Sequence, residues 1–325
     1  MELITGSPMK GVQLARLKHF LKSCGLDYDE GVSFTAALLD EDGEIIASGS
    51  LDGRTLKCIA VSPMHQGEDL TARILTELRR EAFDRGVSHL MLFTKPRNRM
   101  MFQSFGFHPL ARTADCLLME NQRDGIGSFL GGIERHDGRI GCIVANCNPF
   151  TKGHRYLIES AAAQVDWLYV FILSEDKSLF PADVRLQLAK EGCSDLKNVS
   201  VHPSGPYMVS SATFPSYFIR DKDRVNEIFC ELDIRLFCEK IAPALNISRR
   251  FVGTEPISTG TRLYNEAMKA SLPPCGIEVI EIPRLESGGE VISASRVRAL
   301  AQSGDMAALE ALLPENTLNH ILNRR

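Results

Sequence analysis

The sequence lacks a long apolar run: the longest, Trp167 to Leu173, spans seven residues, far short of the roughly 20 that cross a bilayer. Its nine cysteines include no C-x-x-C pair and do not cluster with histidine. Neither a disulfide framework nor a zinc module is therefore encoded, and the odd number reads as reduced thiols. No charge of one sign dominates. Lys and Arg number 37 against 41 Asp and Glu, a net charge of −4, and no polyanion-binding surface or nucleic-acid partner is expected from that balance. Met1–Gly11 has no basic segment followed by an apolar one, so no signal peptide is expected there. Repeats of 20–50 residues and low-complexity tracts are also missing. These absences point to a soluble cytoplasmic protein without membrane contact, and 325 residues at about 100–200 per domain suggest two domains.

What is present divides the chain. Residues 1–120 read as a compact α+β unit. Met9–Lys22 has helical spacing, Val32–Leu39, Glu44–Ser50 and Thr55–Val61 read as successive strands, and Leu70–Arg85 as a helix before the strand His89–Phe93. Residues 121–137 are rich in Gly, Asp and Arg with little periodicity and are expected to be a linker. From 138 to 325 near-continuous apolar strands alternate with helices, the pattern of a Rossmann-like α/β domain with a parallel sheet covered on both faces.

The richest chemistry follows the first strand of the second half: Asn146-Cys147-Asn148-Pro149-Phe150-Thr151-Lys152-Gly153-His154. Open parallel sheets bind ligands at strand carboxyl ends beside a helix N-terminus. Thr151, Lys152 and His154 place a hydroxyl, an ammonium and an imidazole there, and Gly153 is expected to let a bulky anion approach the backbone. Neither a Walker loop nor a G-x-G-x-x-G fingerprint is present, and a proline turn before a helix start accounts for the same residues. A second cluster, Ile292-Ser293-Ala294-Ser295-Arg296-Val297-Arg298, follows the last strand and Ser287-Gly288-Gly289. Ser293 can cap a helix on which Ser295 and Arg298 share one face. That face offers hydroxyls and a guanidinium fork to phosphate, or is simply a capped helix with solvated arginines. Phe251-Val252-Gly253-Thr254-Glu255-Pro256 is a strand entering a polar turn. In Phe180-Pro181-Ala182-Asp183-Val184-Arg185, which opens a helix, Arg185 reaches phosphate or lies solvated.

Together the two clusters resemble the nucleotidyltransferase superfamily, whose [HT]-x-G-H and I-S-x-S-x-x-R motifs match Thr151 to His154 and Ile292 to Arg298. The resemblance implies catalytic roles for His154, Lys152 and Arg298, with Lys152 at a variable position of its motif. It implies that Thr151 and His154 contact phosphates about the reacting α-phosphorus, while Ser293, Ser295 and Arg298 hold the departing β- and γ-phosphates. It also implies nucleotide contacts from Asn146, Asn148, Pro149, Phe150, Gly153, Arg185, Ile292 and Gly253, with Thr254 and Glu255 toward the nucleoside. ATP is then a substrate and Mg²⁺ its companion ion; no protein-held metal site is expected. His154, if protonated, is expected to join Lys152 and Arg298 as a positive group.

The first half is similar to the GNAT-type acetyltransferase fold, through its strand order, Val61-Ser62-Pro63, and Phe102-Gln103-Ser104-Phe105-Gly106-Phe107. In that fold the loop Q/R-x-x-G-x-G/A presents amides to the pyrophosphate of coenzyme A. Here it reads Gln66-Gly67-Glu68-Asp69-Leu70-Thr71, and a carboxylate at Asp69 repels a pyrophosphate. Joined to a T-x-G-H adenylating half, the chain resembles the citrate lyase ligase family, also through Gly141-Cys142-Ile143-Val144, Gly153-His154-Arg155-Tyr156-Leu157-Ile158 and Ala212-Thr213-Phe214-Pro215. That resemblance implies formation of acetyl-adenylate from ATP and acetate. The acetyl group then passes to the thiol of the phosphoribosyl-dephospho-coenzyme A arm on the citrate lyase acyl carrier subunit. The residues leave two alternatives: an adenylyltransferase joining AMP to a phosphate monoester such as a pantetheine phosphate or nicotinate mononucleotide, or a non-catalytic acyl-coenzyme A sensing or docking module. Cys142 and Cys147 read as small buried hydrophobes, and His65, His89 and His108 lack ligand spacing.

Overall fold

The structure is a computed structural model that describes residues 1–66, 69–174, 178–208, 214–256 and 258–323. Gly67 and Glu68 of the amide-loop motif, and Ala212 and Thr213 of the Ala212 to Pro215 stretch, lie outside the described residues. The chain forms two compact units, Met1–Gly125 with Phe214–Arg235, and Ile126–Thr213 with Leu236–Arg325. Among the described residues no helix is long and apolar enough to cross a membrane.

The first unit is a mixed α+β domain. In chain order it contains β1 (Glu2–Gly6), α1 (Gly11–Ser23), β2 (Phe34–Leu39), β3 (Ile45–Asp52), β4 (Thr55–Val61), α2 (Leu70–Asp84), β5 (Met91–Thr94), α3 (Arg99–Ser104), β6 (His108–Arg112) and β7 (Leu117–Glu120). The strands form one sheet in the order β1-β2-β3-β4-β5-β7-β6. The pair β4/β5 is parallel and is joined only through Thr55↔Met91 and Leu56↔Leu92. The helical stripe of α2 buries Leu70, Ile74, Leu75 and Leu78 against Ala36, Leu38, Ala47 and Leu56 of the sheet, the non-directional burial that fixes this layer. Asp69 takes a left-handed backbone conformation, φ 53°, which a glycine adopts without steric cost.

Residues 121–137, expected to be a linker, include α4 (Gly125–Gly131), and Ile126, Leu130 and Ile133 are buried. The second unit continues with β8 (Ile140–Ala145), α5 (Lys152–Ala162), β9 (Trp167–Ile172), α6 (Ala182–Gly192) and β10 (Val199–Pro203). Next in the chain comes α7 (Val225–Leu236), which through Arg235 belongs to the first unit, and then, back in the second, a π-turn over Phe237–Ile241 and α8 (Ala242–Ala244). It ends with β11 (Ile247–Gly253), α9 (Thr259–Ser271), β12 (Glu278–Ile282), a hairpin of β13 (Glu286–Ser287) and β14 (Glu290–Val291), α10 (Ala294–Ser303), α11 (Met306–Leu312) and α12 (Glu315–Leu322). Its sheet runs β10-β9-β8-β11-β12 with every pairing parallel. The order reverses between β8 and β11, and the crevice beyond the carboxyl ends of those two strands is the expected ligand position in a doubly wound sheet.

One sheet face packs Ile143, Leu168, Val170 and Ile172 with Ile158 of α5 and Leu188 of α6. The alternate residues of β9 point the other way, where His136 stacks on Trp167 at 3.6 Å and His202 lies 5.9 Å from Phe171. A satellite core of Val297, Leu309, Leu312 and Ile321 secures α10 to the last two helices.

Residues 214–235 count with the first unit although they follow β10 in sequence. Their attachment is specific. Phe214 meets Phe93 of β5 edge-on at 5.6 Å, the Asp27 amide donates to the Tyr217 carbonyl at 2.9 Å, and the Tyr217 hydroxyl bonds to the Cys58 backbone. Lys222 pairs with Asp27 at 2.7 Å and Arg224 with Asp115 at 3.1 Å. Phe214→Ala should therefore destabilise the first unit by about 3–5 kcal/mol, as buried aromatic truncations do. The denaturation midpoint of that unit measures this, and an unchanged midpoint would refute the anchoring role.

Candidate active site

The loop leaving β8 turns sharply: Cys147 has φ 48° and the Asn148–Pro149 peptide is cis. Phe150 is buried in the core, stacked 6.0 Å from the His154 ring, and so supports the loop instead of facing ligand. The side-chain amide oxygen of Asn148 accepts from the Phe180 amide at 3.1 Å. Arg185 is neither solvated nor free to meet phosphate. Its side chain lies in a residue of 0% exposure and donates to the Phe180 carbonyl at 3.0 Å and to both the carbonyl and side-chain oxygens of Asn146 at 2.7 Å. A buried guanidinium thus ties the α6 entry to the β8 loop, and the charge is tolerable because its donors are met.

Thr151 caps α5. Its Oγ1 accepts from the His154 amide at 3.3 Å, while His154 Nδ1 accepts from the Thr151 amide at 3.1 Å, closing a reciprocal capping box. A backbone N–H can only donate, so Nδ1 carries the lone pair and the ring proton resides on Nε2. Burial, and then the nearby Arg284 guanidinium, push the His154 pKa down to about 4. At neutral pH His154 is a neutral Nε2–H donor, which corrects the expectation of a positive group: desolvation next to another cation penalises the imidazolium.

Lys152 departs from expectation as well. Its Nζ donates to the carbonyls of Glu310 and Ala311 at 2.8 and 3.3 Å, the exposed carbonyl end of α11, where a cation is favoured. Gly153 lies where the chain packs closely, since a Cβ there would sit 3.2 Å from the Ile292 carbonyl oxygen.

The second cluster forms the start of α10. Ser293 caps α10, its Oγ accepting from the Arg296 amide at 3.2 Å. Arg298 donates to Ser295 Oγ at 3.0 Å and, across 150 positions of sequence, to the Asn148 carbonyl at 2.7 Å. The two clusters therefore form one surface. Gly288 and Gly289, with φ of 65° and 79°, make the tight turn between β13 and β14 that returns the chain to α10.

Beyond β11, Thr254 and Glu255 are held by a residue that the sequence reading passed over. The Arg284 amide donates to Thr254 Oγ1 at 3.1 Å, its Nε to the Thr254 carbonyl at 2.6 Å, and its Nη2 to Glu255 Oε2. The other Glu255 oxygen accepts from the Ser258 amide at 3.0 Å, and Asn265 donates to the Gly253 carbonyl at 3.0 Å. The available signal for Arg284 was position: it follows the last parallel strand, β12, as Asn146 follows β8. Cys142 and Cys147 are buried, and burial raises both thiols above the ordinary range, so neither is a thiolate nucleophile.

The arrangement offers a neutral N–H donor, a helix N-terminus and two guanidiniums at the switch point of a parallel sheet, a set suited to anionic groups. Residues 140–321 match a family model described as the citrate lyase ligase C-terminal domain. The chain is 42% identical to the [citrate [pro-3S]-lyase] ligase of Klebsiella pneumoniae over 88% of this chain and 86% of that protein. It is 40% identical to the protein of the same name from Escherichia coli (strain K12), over 96% and 91%. A shorter match, 29% identical over 32% of this chain and 66% of that protein, is the phosphopantetheine adenylyltransferase of Streptococcus sanguinis (strain SK36).

The capping box makes a pH prediction. With a folded pKa of about 4 against 6.5 for the free group, the unfolded chain takes up the proton first as pH falls. Stability contributed by neutral His154 is complete above pH 6.5 and is lost toward pH 4. Urea midpoints followed across this window should fall less for His154→Gln than for the native chain, and nitrogen NMR should show the Nε2–H tautomer at neutral pH. A ring titrating near 6.5 would contradict the assignment.

Proposed function

The chain belongs to the citrate lyase ligase family, and from that premise we propose that it activates acetate with ATP and acetylates the thiol prosthetic group of citrate lyase. In this reading residues 138–325 form the adenylating domain. Residues 1–120, joined through 121–137, guide the phosphoribosyl-dephospho-coenzyme A arm of the acyl carrier subunit. The observation that carries the proposal is the bond from Arg298 to the Asn148 carbonyl, because it brings the Thr-x-Gly-His turn and the Ile-Ser-x-Ser-x-x-Arg helix to one phosphate-sized surface.

A carboxylate is already ionised near neutrality, so no general base is needed for the first step. An acetate oxygen attacks the α-phosphorus, a new O–P bond forms, and the bond to the β-phosphate breaks to release pyrophosphate. Both reactants are anionic, and the gain comes from alignment and charge stabilisation. His154 Nε2–H donates to the α-phosphoryl oxygens without adding charge, while Ser293, Ser295 and Arg298 hold the departing phosphates. The carrier thiol, as thiolate, then attacks the acetyl carbonyl and AMP leaves. Among the described residues no group of three or more acidic, histidine or cysteine side chains gathers as a metal site. A Mg²⁺ ion would be carried by the nucleotide phosphates, the usual habit of this ion, where it would neutralise phosphate charge. None of the nine cysteines is in a disulfide, which supports placement in the reducing cytoplasm.

Replacing His154 by alanine should lower acetate-dependent ATP–pyrophosphate exchange by on the order of 10²–10³-fold, the scale of losing one oriented donor to a developing charge, with the native circular dichroism retained. Near-normal exchange would remove His154 from the reaction. Pyrophosphate release driven by a pantetheine phosphate or nicotinate mononucleotide, and not by acetate, would replace the proposal with a phosphomonoester adenylyltransferase.

A further inference from the structure

Two anions must meet in this crevice, and each needs its own cation. Arg298 is fastened to the loop after β8 through the Asn148 carbonyl and shares Ser295, which commits it to the phosphate side. Lys152 is occupied by the carbonyls of Glu310 and Ala311. Arg284 is fastened to the turn after β11, the strand next to β8.

Its setting is that of a prepared anion receptor. Glu255, whose side chain is only 6% exposed, grips Nη2, and the Thr254 carbonyl grips Nε. Nη1 has no hydrogen-bond partner among the described residues, and the side chain keeps 27% of its exposure. The guanidinium is therefore immobilised along one edge with its remaining N–H groups presented outward, so that little side-chain entropy is left to lose when an anion binds. Glu255 offsets part of the charge, which weakens attraction for a polyphosphate relative to a singly charged group. The same guanidinium is close enough to His154 to lower its proton affinity, which is consistent with both groups facing one crevice.

We propose that Arg284 receives the carboxylate of the acyl substrate and holds it on the β11 side of the crevice, facing the phosphates bound along α10. The inference rests on the adenylating role proposed above and deepens it by assigning the carboxylate subsite. Thr254 and Glu255 then act as positioning residues for that guanidinium, instead of as nucleoside contacts.

The test uses the full chain and compares native protein with Arg284→Gln and Arg284→Lys. It also includes Arg284→Gln/Glu255→Gln, which avoids leaving a buried carboxylate unpaired. Acetate-dependent ATP–pyrophosphate exchange gives KM for acetate, and equilibrium binding without acetate gives Kd for ATP. The expected result is a rise in acetate KM of roughly 10- to 100-fold, the range for losing a charged hydrogen bond, in the Gln variants. A smaller rise is expected for Lys, and Kd for ATP should be little changed. By NMR, the His154 pKa should rise from about 4 once the neighbouring cation is gone. Unchanged acetate KM, or a loss confined to ATP affinity, would overturn the carboxylate assignment while leaving adenylation in place. Native protein without acetate-dependent exchange would overturn the adenylating role and this assignment with it.

Discussion

The junction between the β8 loop and α10 is the constraint on which the site depends. One hydrogen bond, from Arg298 to the Asn148 carbonyl at 2.7 Å, is visible there, but the junction holds because several independent features allow it. Gly153 has no side chain where the Ile292 carbonyl passes. Arg185, buried and fully donating, fixes Asn146 from below, and Val297 fastens α10 into a small core with Leu309 and Leu312. A carbonyl presented to a guanidinium needs a loop that does not fluctuate, and here the loop is held on three sides.

The electrostatics of the site are more economical than a count of cations implies. His154 is neutral, Lys152 caps another helix, and Arg284 is half offset by Glu255. Only small, directed positive potential remains, carried by oriented N–H groups and not by free charge. Such an arrangement suits a reaction between two anions, since the donors are already in place and need no reorganisation when charge redistributes. It also agrees with a chain whose net charge is −4, for which a broad basic field was never available.

Much of this was legible in the sequence, for identifiable reasons. The parallel strands Ile140–Ala145 and Trp167–Ile172 are apolar on both faces, a signal that survives without tertiary information. Ser293 was readable as a cap because capping is local chemistry. What escaped depends on distant partners. Arg249 and Arg250 hid the first half of β11, yet Arg250 is buried with its guanidinium 4.7 Å over the Phe237 ring, a stabilisation invisible to periodicity. Lys152 reads as a ligand cation until α11 is seen to present its carbonyls. Arg284 reads as nothing in particular until Thr254 and Glu255 are seen to grip it. β1 was missed because its alternation is weak and mostly exposed, its stability coming from pairing with β2.

The excursion of residues 214–235 into the first unit has a consequence for how the protein is made. A ribosome delivers chain from the N-terminus at about 5–20 residues per second, and domains ordinarily close as soon as they emerge. Here the first unit lacks Phe214, Tyr217, Lys222 and Arg224 until roughly 90 residues after Gly125 have been added, some 5–20 s at that rate. During this interval Phe93 and the Cys58 backbone await partners, and the nascent α+β unit exposes surface that the finished protein covers. Completion is therefore non-sequential: the first unit gains its last segment only while the second is already being made.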